Sequence, residues 1–219
     1  MPIRVITIER EYGSGAANIA ELVATRLGWS LWDKAITAEI ARIAATERNS
    51  ARSGLQRQDP LLYRLAKVFA RGSYERSIPV DTPESQDAER LVRILTQAIE
   101  GIGARGQAVI VGRGAAYILR GVPEAFHVFV FAPYEEKLRR VMESGKSKEE
   151  AMELLDTVDL ERAAFVKQYT GRDWPNRYLY NLWINSIIGD EAVVETILNT
   201  VRMLDEKKIR KIAHHRVDL

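Results

Sequence analysis

Two glycines separated by a serine follow the first apolar segment of the chain and could bind a phosphate. Gly13, Ser14 and Gly15 come directly after a β-branched stretch, and helical spacing of apolar residues begins behind them. Glycine lets a backbone turn tightly near an anion, and the free N–H groups at a helix N-terminus donate to phosphate oxygens. The pattern therefore predicts a phosphate-binding loop, although a structural turn between a strand and a helix uses the same residues.

This loop departs from the pattern G-x-x-x-x-G-K-[ST] at two side chains that bind phosphate and metal. Aligning Gly15 with the second glycine places Arg10 at the first glycine, Ala16 at the lysine and Ala17 at the hydroxyl position. The lysine normally contacts the β and γ phosphates, and the hydroxyl coordinates magnesium. Phosphate binding would therefore depend on backbone N–H groups, and Asn18, one position late, could at best hold a water of the metal shell.

Several arginines stand where a transferred phosphate could be reached. Arg113 lies between two glycines after an apolar strand, a position at which open α/β sheets bind ligands, and a surface ion pair is the alternative. Arg139 and Arg140 begin a charged helical region, where planar guanidinium groups suit phosphate but ordinary solvated arginines are also expected. Asp159 and Arg162, three positions apart, could serve a ligand or form an intrahelical ion pair.

The elements that must position these residues alternate between strands and helices along the chain. Apolar and β-branched runs predict strands at 4–8, 29–32, 108–111, 127–131 and 179–184. Helical periodicity predicts helices at 16–27, 35–45, 61–69, 84–104, 134–143, 148–169 and 190–212. The alternation predicts an α/β fold with a parallel sheet covered by helices on both faces. We expect one domain over 1–219, with a helical lid near 136–175.

Composition excludes several other classes of protein. With 219 residues, 46% hydrophobic and 28% charged, the chain has the balance of an ordinary globular protein. No apolar run reaches the roughly 20 residues of a membrane helix, and the N-terminus does not look like a signal peptide. The chain has no cysteine, which is compatible with a reducing cytoplasm. We therefore expect a cytoplasmic protein without a membrane partner.

Charge gives no reason to expect a nucleic-acid partner. The formal net charge is only +2, so the chain is almost neutral. A basic cluster near the C-terminus predicts either a solvated final helix or a tail that binds a polyanion; it consists of Lys207, Lys208, Arg210, Lys211 and Arg216. The helix 84–104 carries leucine and valine and could serve as an interface between two copies of the chain.

Four ordered blocks of sequence resemble a known family. They are ITIEREYGSG at 6–15 with LWDK at 31–34, VIVGRGA at 109–115, DLERAAFVKQYTG at 159–171, and DW at 173–174 with LYNLWIN at 179–185. Together they resemble the cytidylate kinase-like proteins. The resemblance implies a P-loop NTPase-type three-layer fold with five parallel strands and a helical lid. It also implies ATP as phosphate donor, Mg²⁺, and a nucleoside monophosphate such as CMP as acceptor.

The resemblance further implies roles for individual residues. Gly13–Gly15 would cradle the donor phosphates, and Arg113 matches the arginine that grips the acceptor phosphate. Asp33 matches an aspartate that follows the second strand, and Asp159 with Arg162 matches a pair near the nucleotide and the lid. An arginine from the lid, or Arg113, would have to replace the missing lysine.

Two functions remain open at this point. The first is ATP-dependent phosphoryl transfer to a nucleoside monophosphate or a related small acceptor, a reaction that needs positioning and charge neutralisation more than a nucleophile. The second is a catalytically weak, regulatory nucleotide-binding module with a degenerate loop. The missing lysine favours the second function, and the retained Arg113, Asp159 and Arg162 favour the first. Glu39 replaces an arginine of cytidylate kinases, so the resemblance does not imply specificity for cytosine.

Overall fold

The structure is a computed structural model, and it describes residues 2–33, 36 and 85–207. The predicted helix 61–69, all but one residue of the predicted helix 35–45, and Glu39 lie outside the described residues. So do Lys34 of the first block and the basic residues from Lys208 onward. The described residues contain the sheet, the glycine loop and the whole predicted lid.

A parallel sheet of five strands forms the centre of the fold. Its strands are β1 (Val5–Arg10), β2 (Ser30–Trp32), β3 (Ala108–Val111), β4 (Ala125–Phe131) and β5 (Leu182–Asn185). They are ordered β2-β3-β1-β4-β5, and all pairs are parallel. This order places β1 between β3 and β4, so the loops that follow β1 and β3 emerge side by side at one edge of the sheet.

Helices cover both faces of this sheet. They are α1 (Ala16–Leu27), α2 (Ser85–Arg105), α3 (Ala115–Ile118), α4 (Tyr134–Glu143), α5 (Lys148–Thr170) and α6 (Asp190–Asp205), with a 3₁₀ turn at Ser186–Ile188. On one face, α1 and α6 bury Ile6, Ile8, Val128 and Val130 of the central strands. On the other, α2 and α3 cover Val5, Ala108 and Ile110. The predicted three-layer α/β architecture is confirmed.

Tertiary pairing shifted several predicted boundaries. β1 continues to Arg10 rather than ending at residue 8, because Glu9 and Arg10 pair with β4. β5 begins at Leu182, three residues later than predicted. α3 was not predicted, since four residues show no helical periodicity. α1 occupies the predicted 16–27, and Gly28 ends it in the left-handed conformation with φ of 65°.

Apolar helices of membrane-spanning length do not occur in the described part of the chain.

Candidate functional site

The loop after β1 is a tight, glycine-dependent turn. Gly13 and Gly15 have φ angles of 75° and 79°, which favour glycine over any residue with a Cβ. The Ser14 hydroxyl donates to the Glu11 carbonyl at 2.8 Å, and the Ser14 N–H donates to the same oxygen at 3.3 Å. The turn delivers the chain directly into α1, as the sequence predicted.

The N-terminus of α1 presents unoccupied donors to a crevice. Among the described residues, none accepts a hydrogen bond from the backbone N–H groups of Gly15, Ala16, Ala17 or Asn18, and the cap makes no side-chain hydrogen bond. The crevice beside them is lined by Arg10, Glu11, Tyr12, Gly13, Ser14, Gly15, Ala16, Ala17, Asp33, Arg140, Val141, Ser144 and Arg162. Free amides with the helix dipole make this crevice suitable for an anion.

Arg140 brings a cation from α4 to the start of α1. Its Nη1 donates to the Ser14 carbonyl at 2.6 Å and to the Ser186 hydroxyl at 2.9 Å. A Cβ built on Gly15 would lie 2.6 Å from the same nitrogen, so the guanidinium lies directly beside the loop. Arg140 therefore lies where a positive charge can compensate for the alanine at the lysine position.

Arg139, its neighbour, points elsewhere. Its side chain is 53% exposed and pairs with Glu136 and Glu143 on the surface of α4, whereas that of Arg140 is 18% exposed. Consecutive helix residues face different directions. Of the two arginines predicted at the start of the lid, the structure therefore brings only Arg140 to the crevice.

The rest of the predicted lid also contacts the loop. Lys137 donates to the Glu11 carboxylate at 2.9 Å. A Cβ on Gly13 would lie 3.1 Å from Lys137 and Val141, which shows how closely α4 approaches. Tyr12 packs into an apolar cluster with residues of α4 and α5, namely Val141, Ala151, Leu154, Leu155 and Val158.

Asp159 and Arg162 form an ion pair and also fix the loop backbone. Arg162 Nη1 lies 2.7 Å from Asp159 Oδ1 and donates to the Arg10 carbonyl at 3.0 Å. The Asp159 carboxylate accepts from the Tyr12 N–H. Burial raises the pKa of Asp159, and Arg162 opposes this rise. The intrahelical ion pair that their spacing allowed is therefore present, and it also contacts the backbone of the glycine loop.

Arg113 occupies a strained turn at the carboxyl end of β3. Gly112, Arg113 and Gly114 all have positive φ angles, of 67°, 63° and 68°. A left-handed conformation costs a non-glycine residue roughly 1–2 kcal/mol, and such strain is concentrated at functional sites. A Cβ on Gly112 would lie 2.0 Å from Nη1 of Arg10, so the glycine makes room for that guanidinium.

Three guanidinium groups converge at this edge of the sheet. Burial and the nearby Arg10 lower the pKa of Arg113 to about 9. The same two causes lower the pKa of Arg162 to about 10, and Asp159 and Glu9 oppose that change. Because neighbouring arginines lower the pKa values of Arg113 and Arg162, these cations lie close together and would be stabilised by a bound anion. The arginine cluster (Arg10, Arg113 and Arg162) is therefore a candidate anion site.

Acidic groups around the crevice differ in how far they are engaged. Asn18 donates to Asp190 at 2.7 Å, and Glu11 is engaged by Lys137. Asp33 lines the crevice, and its buried Oδ1 accepts no hydrogen bond from the residues that the structure describes. No group of three or more metal-binding side chains occurs in the described residues.

A profile of the cytidylate kinase-like family matches residues 5–187. The matched range includes the five strands of the sheet, the glycine loop, Arg113 and Arg140 of α4. The chain belongs to the cytidylate kinase-like family. Membership of this family supports a kinase-like phosphotransferase that uses a nucleotide and acts on a small substrate.

One solved structure shares the fold of this family member, and two kinases are similar to it with TM-scores below 0.5. An uncharacterised protein from Eubacterium ventriosum is 23% identical with a TM-score of 0.62, over 92% of this chain and 99% of that one. A shikimate kinase from Acinetobacter baumannii in complex with shikimate is 14% identical, with a TM-score of 0.48 over 95% and 96%. A sugar kinase from Janibacter is 15% identical, with a TM-score of 0.49 over 94% and 98%. The search of curated proteins gave no match.

In this member of the family, three contacts of the loop were missed by sequence reasoning. Ser186 follows β5 and donates to the Ser14 carbonyl at 2.7 Å; its place at the carboxyl end of a strand was a usable signal. Lys137 precedes Arg140 by one helical turn and could have been found by that spacing. Asp190, which binds Asn18, gave no such signal.

Proposed function

We propose that the chain transfers a phosphoryl group from ATP to a small acceptor that itself carries a phosphate, such as a nucleoside monophosphate. The observation that carries this proposal is the meeting of two anion sites in one crevice. The backbone N–H groups at the start of α1 line this crevice together with Arg10 and Arg162, and Arg113, which is not among the lining residues, interacts electrostatically with both of these arginines. Two phosphorylated substrates held at one sheet edge are what phosphoryl transfer requires.

The donor phosphates would bind at the glycine loop. The N–H groups of Gly13 and of Gly15–Asn18 would donate to phosphate oxygens, with Ser14 holding the turn in shape. Arg140 supplies the cation that Ala16 cannot. The Arg140 guanidinium would need only a small displacement to move from the Ser14 carbonyl to a phosphate oxygen, because it already lies beside Gly15.

The acceptor phosphate would bind at Arg113, with Arg10 and Arg162 beside it. An oxygen of the acceptor phosphate would attack the γ-phosphorus, forming one O–P bond as the bond to the leaving ADP breaks. The arginines would stabilise the negative charge of the transferred group. Asp33 faces the same crevice and could accept a hydrogen bond from an acceptor hydroxyl.

Magnesium fits the site through a limited set of protein contacts. Mg²⁺ keeps several waters and is usually held by one or two carboxylates together with substrate phosphates. The free Oδ1 of Asp33 suits a magnesium-bound water, and Ala17 offers no ligand. Bound with ATP, the ion would neutralise charge on the β and γ phosphates.

Residues near 136–175 would act as the lid over this crevice. Their contacts with the loop through Lys137, Arg140 and Asp159 support such a role, because they join the segment to the site where nucleotide would bind. A closed lid excludes water from the transferred phosphoryl group.

A catalytically weak nucleotide-binding module is the second candidate. Ala16 and Ala17 favour this second function, because the lysine and the hydroxyl side chain that they replace normally stabilise the transition state. The two functions differ in turnover. ATP and monophosphate binding without ADP formation would support the module and contradict phosphoryl transfer.

The test is a turnover assay with ATP, Mg²⁺ and a panel of nucleoside monophosphates. We expect Arg113→Ala to weaken acceptor binding by about ten- to a hundredfold, because a charge-assisted contact contributes roughly 1.5–3 kcal/mol. ATP affinity should change far less, and Arg113→Lys should restore part of the loss. Arg120→Ala is the matched control, since Arg120 is an exposed arginine that donates to the Tyr117 carbonyl. Equal losses of donor and acceptor affinity in Arg113→Ala would contradict the assignment.

A further inference from the structure

A buried glutamate lies directly behind the phosphate loop. Glu9 is the penultimate residue of β1, is 3% exposed, and alternates with Val5 and Thr7 on one face of the sheet. Within the described part of the chain, no group donates a hydrogen bond of ordinary geometry to its Oε1. An ionised carboxylate in such a place loses its hydration without full replacement, so its charge must be stabilised by neighbouring groups.

Those neighbours are the cations of the proposed acceptor site. Burial raises the pKa of Glu9, and Arg10 and then Arg162 oppose this rise. The indole of Trp174 and the backbone N–H of Gly114 also stabilise the carboxylate. The titratable or charged groups that interact with Glu9 include Arg10, Arg113, Arg162, Tyr117 and Tyr180.

The charges around the arginine cluster nearly balance before any substrate binds. Arg10, Arg113 and Arg162 contribute positive charge, and the nearby carboxylates are Glu9, Asp33 and Asp159. An entering phosphate dianion draws on the same three cations that stabilise ionised Glu9. It also repels that carboxylate directly, through a desolvated part of the protein.

We propose that Glu9 takes up a proton from solvent when an anion binds at the arginine cluster, so that acceptor binding is linked to protonation of Glu9. This inference rests on the proposed function, because it takes the cluster as the acceptor site. The carboxylate becomes a neutral carboxyl group and no other bond changes. Neutral Glu9 leaves the arginines free to bind the acceptor.

The sign of the resulting pH dependence follows from linkage. Anion binding raises the pKa of Glu9, so the complex holds more protons than the free protein between the two pKa values. Affinity for the anion must therefore rise as pH falls through that interval, by up to roughly tenfold per pH unit. Above and below the interval, this contribution to the pH dependence disappears.

Sulfate is the appropriate probe, because it stays a dianion across pH 6–8 and cannot supply the change in protonation itself. Calorimetric titration of the wild-type protein in two buffers of different ionisation enthalpy measures proton uptake. We expect a measurable uptake of up to about one proton per chain, and tighter binding at lower pH. Glu9→Gln should bind sulfate without proton uptake and with a flat pH profile. Glu9→Leu, a second neutral variant, should behave in the same way if Glu9→Gln folds poorly.

Two controls separate Glu9 from other sites. His127 is a buried histidine on the same face of the sheet, so His127→Gln should keep the proton uptake. Arg113→Ala should lose the proton-linked binding, which excludes sulfate bound only at the glycine loop. Uptake that persists in Glu9→Gln, or disappears in His127→Gln, overturns the inference. Sulfate binding that needs Arg113 but takes up no proton overturns it while leaving the proposed acceptor site intact. Absence of any Arg113-dependent sulfate binding overturns both.

Discussion

The backbone N–H of Tyr12 donates to the carboxylate of Asp159, at 3.0 Å from Oδ1 and 3.1 Å from Oδ2, although the two residues are 147 positions apart. One lies in the glycine loop and the other in the middle of α5. The contact occupies a loop amide that a phosphate would otherwise compete for. The contact therefore limits which loop N–H groups are available to a phosphate, and it connects the loop to the predicted lid.

Replacing Asp159 should disturb nucleotide binding through the loop. Asp159→Ala leaves the Tyr12 N–H and the Arg162 guanidinium without their carboxylate, and contacts of this kind contribute roughly 1.5–3 kcal/mol. We expect ATP affinity, measured by calorimetry, to fall about tenfold or more. Asp173→Asn is the control, because Asp173 pairs with Lys167 at an exposed position of the same region. Unchanged ATP affinity in a folded Asp159→Ala protein would show that the contact is not needed.

Arg140 and Arg139 make a matched pair of arginine variants. Arg140 contacts the loop and Ser186, whereas Arg139 pairs with glutamates on the surface of α4. Arg140→Ala should lower kcat for ADP formation by about tenfold or more, because a desolvated cation on the transferred phosphate is lost. Arg139→Ala should stay within about twofold of the wild-type rate, as expected for a surface pair. Similar losses in both variants would remove Arg140 from the mechanism.

Alanine variants of Gly15 and Gly28 distinguish a phosphate-binding role of the loop from the effect of backbone strain alone. Both have positive φ angles, so alanine costs each roughly 1–2 kcal/mol of stability. A Cβ at Gly15 would also meet the Arg140 guanidinium, whereas a Cβ at Gly28 meets nothing within 4 Å. Gly15→Ala should therefore abolish or strongly weaken ATP binding, and Gly28→Ala should lower only the melting temperature. Equal ATP affinities in the two variants would argue for a purely structural turn.

The burial of Glu9 predicts a pH-dependent stability difference. Because the folded-state pKa of Glu9 is raised, its contribution is fully present below the ordinary value of about 4.3 and is lost as pH rises through the folded-state pKa. Glu9→Gln should therefore gain stability relative to wild type as pH rises from 5 to 8, by up to about 1.4 kcal/mol per pH unit within the titrating interval. Urea unfolding at several pH values measures this. A constant difference between the two proteins would show that Glu9 titrates normally.

Local sequence was sufficient to predict α1, the buried strands β3 and β4, and the glycine loop. The spacing of Ile19, Leu22, Val23 and Leu27 predicted α1, and Gly28 ended the helix as expected, because both features depend on residues within one or two turns. The glycine pair predicted the turn that opens the helix N-terminus for the same reason. The apolar runs of β3 and β4 similarly identified buried parallel strands, although register with β4 extended β1 by two residues.

Which charged side chains reach the crevice was decided by the tertiary structure. The sequence did not distinguish Arg139 from Arg140 as candidates to contact the transferred phosphate. The packing of α4 against the loop places Arg140 in the crevice and Arg139 on the surface. The spacing of Asp159 and Arg162 predicted either a role at a ligand or an intrahelical ion pair, and the fold brings the pair to the backbone of Tyr12 and Arg10. The predicted strand 4–8 left Glu9 as the first polar residue after the strand, whereas pairing with β4 makes it part of β1 and buries it. Local patterns determine which elements form. Which charged side chains lie close together depends on the strand order β2-β3-β1-β4-β5 and on long-range burial, because residues far apart in the sequence form no local pattern that would reveal their contact.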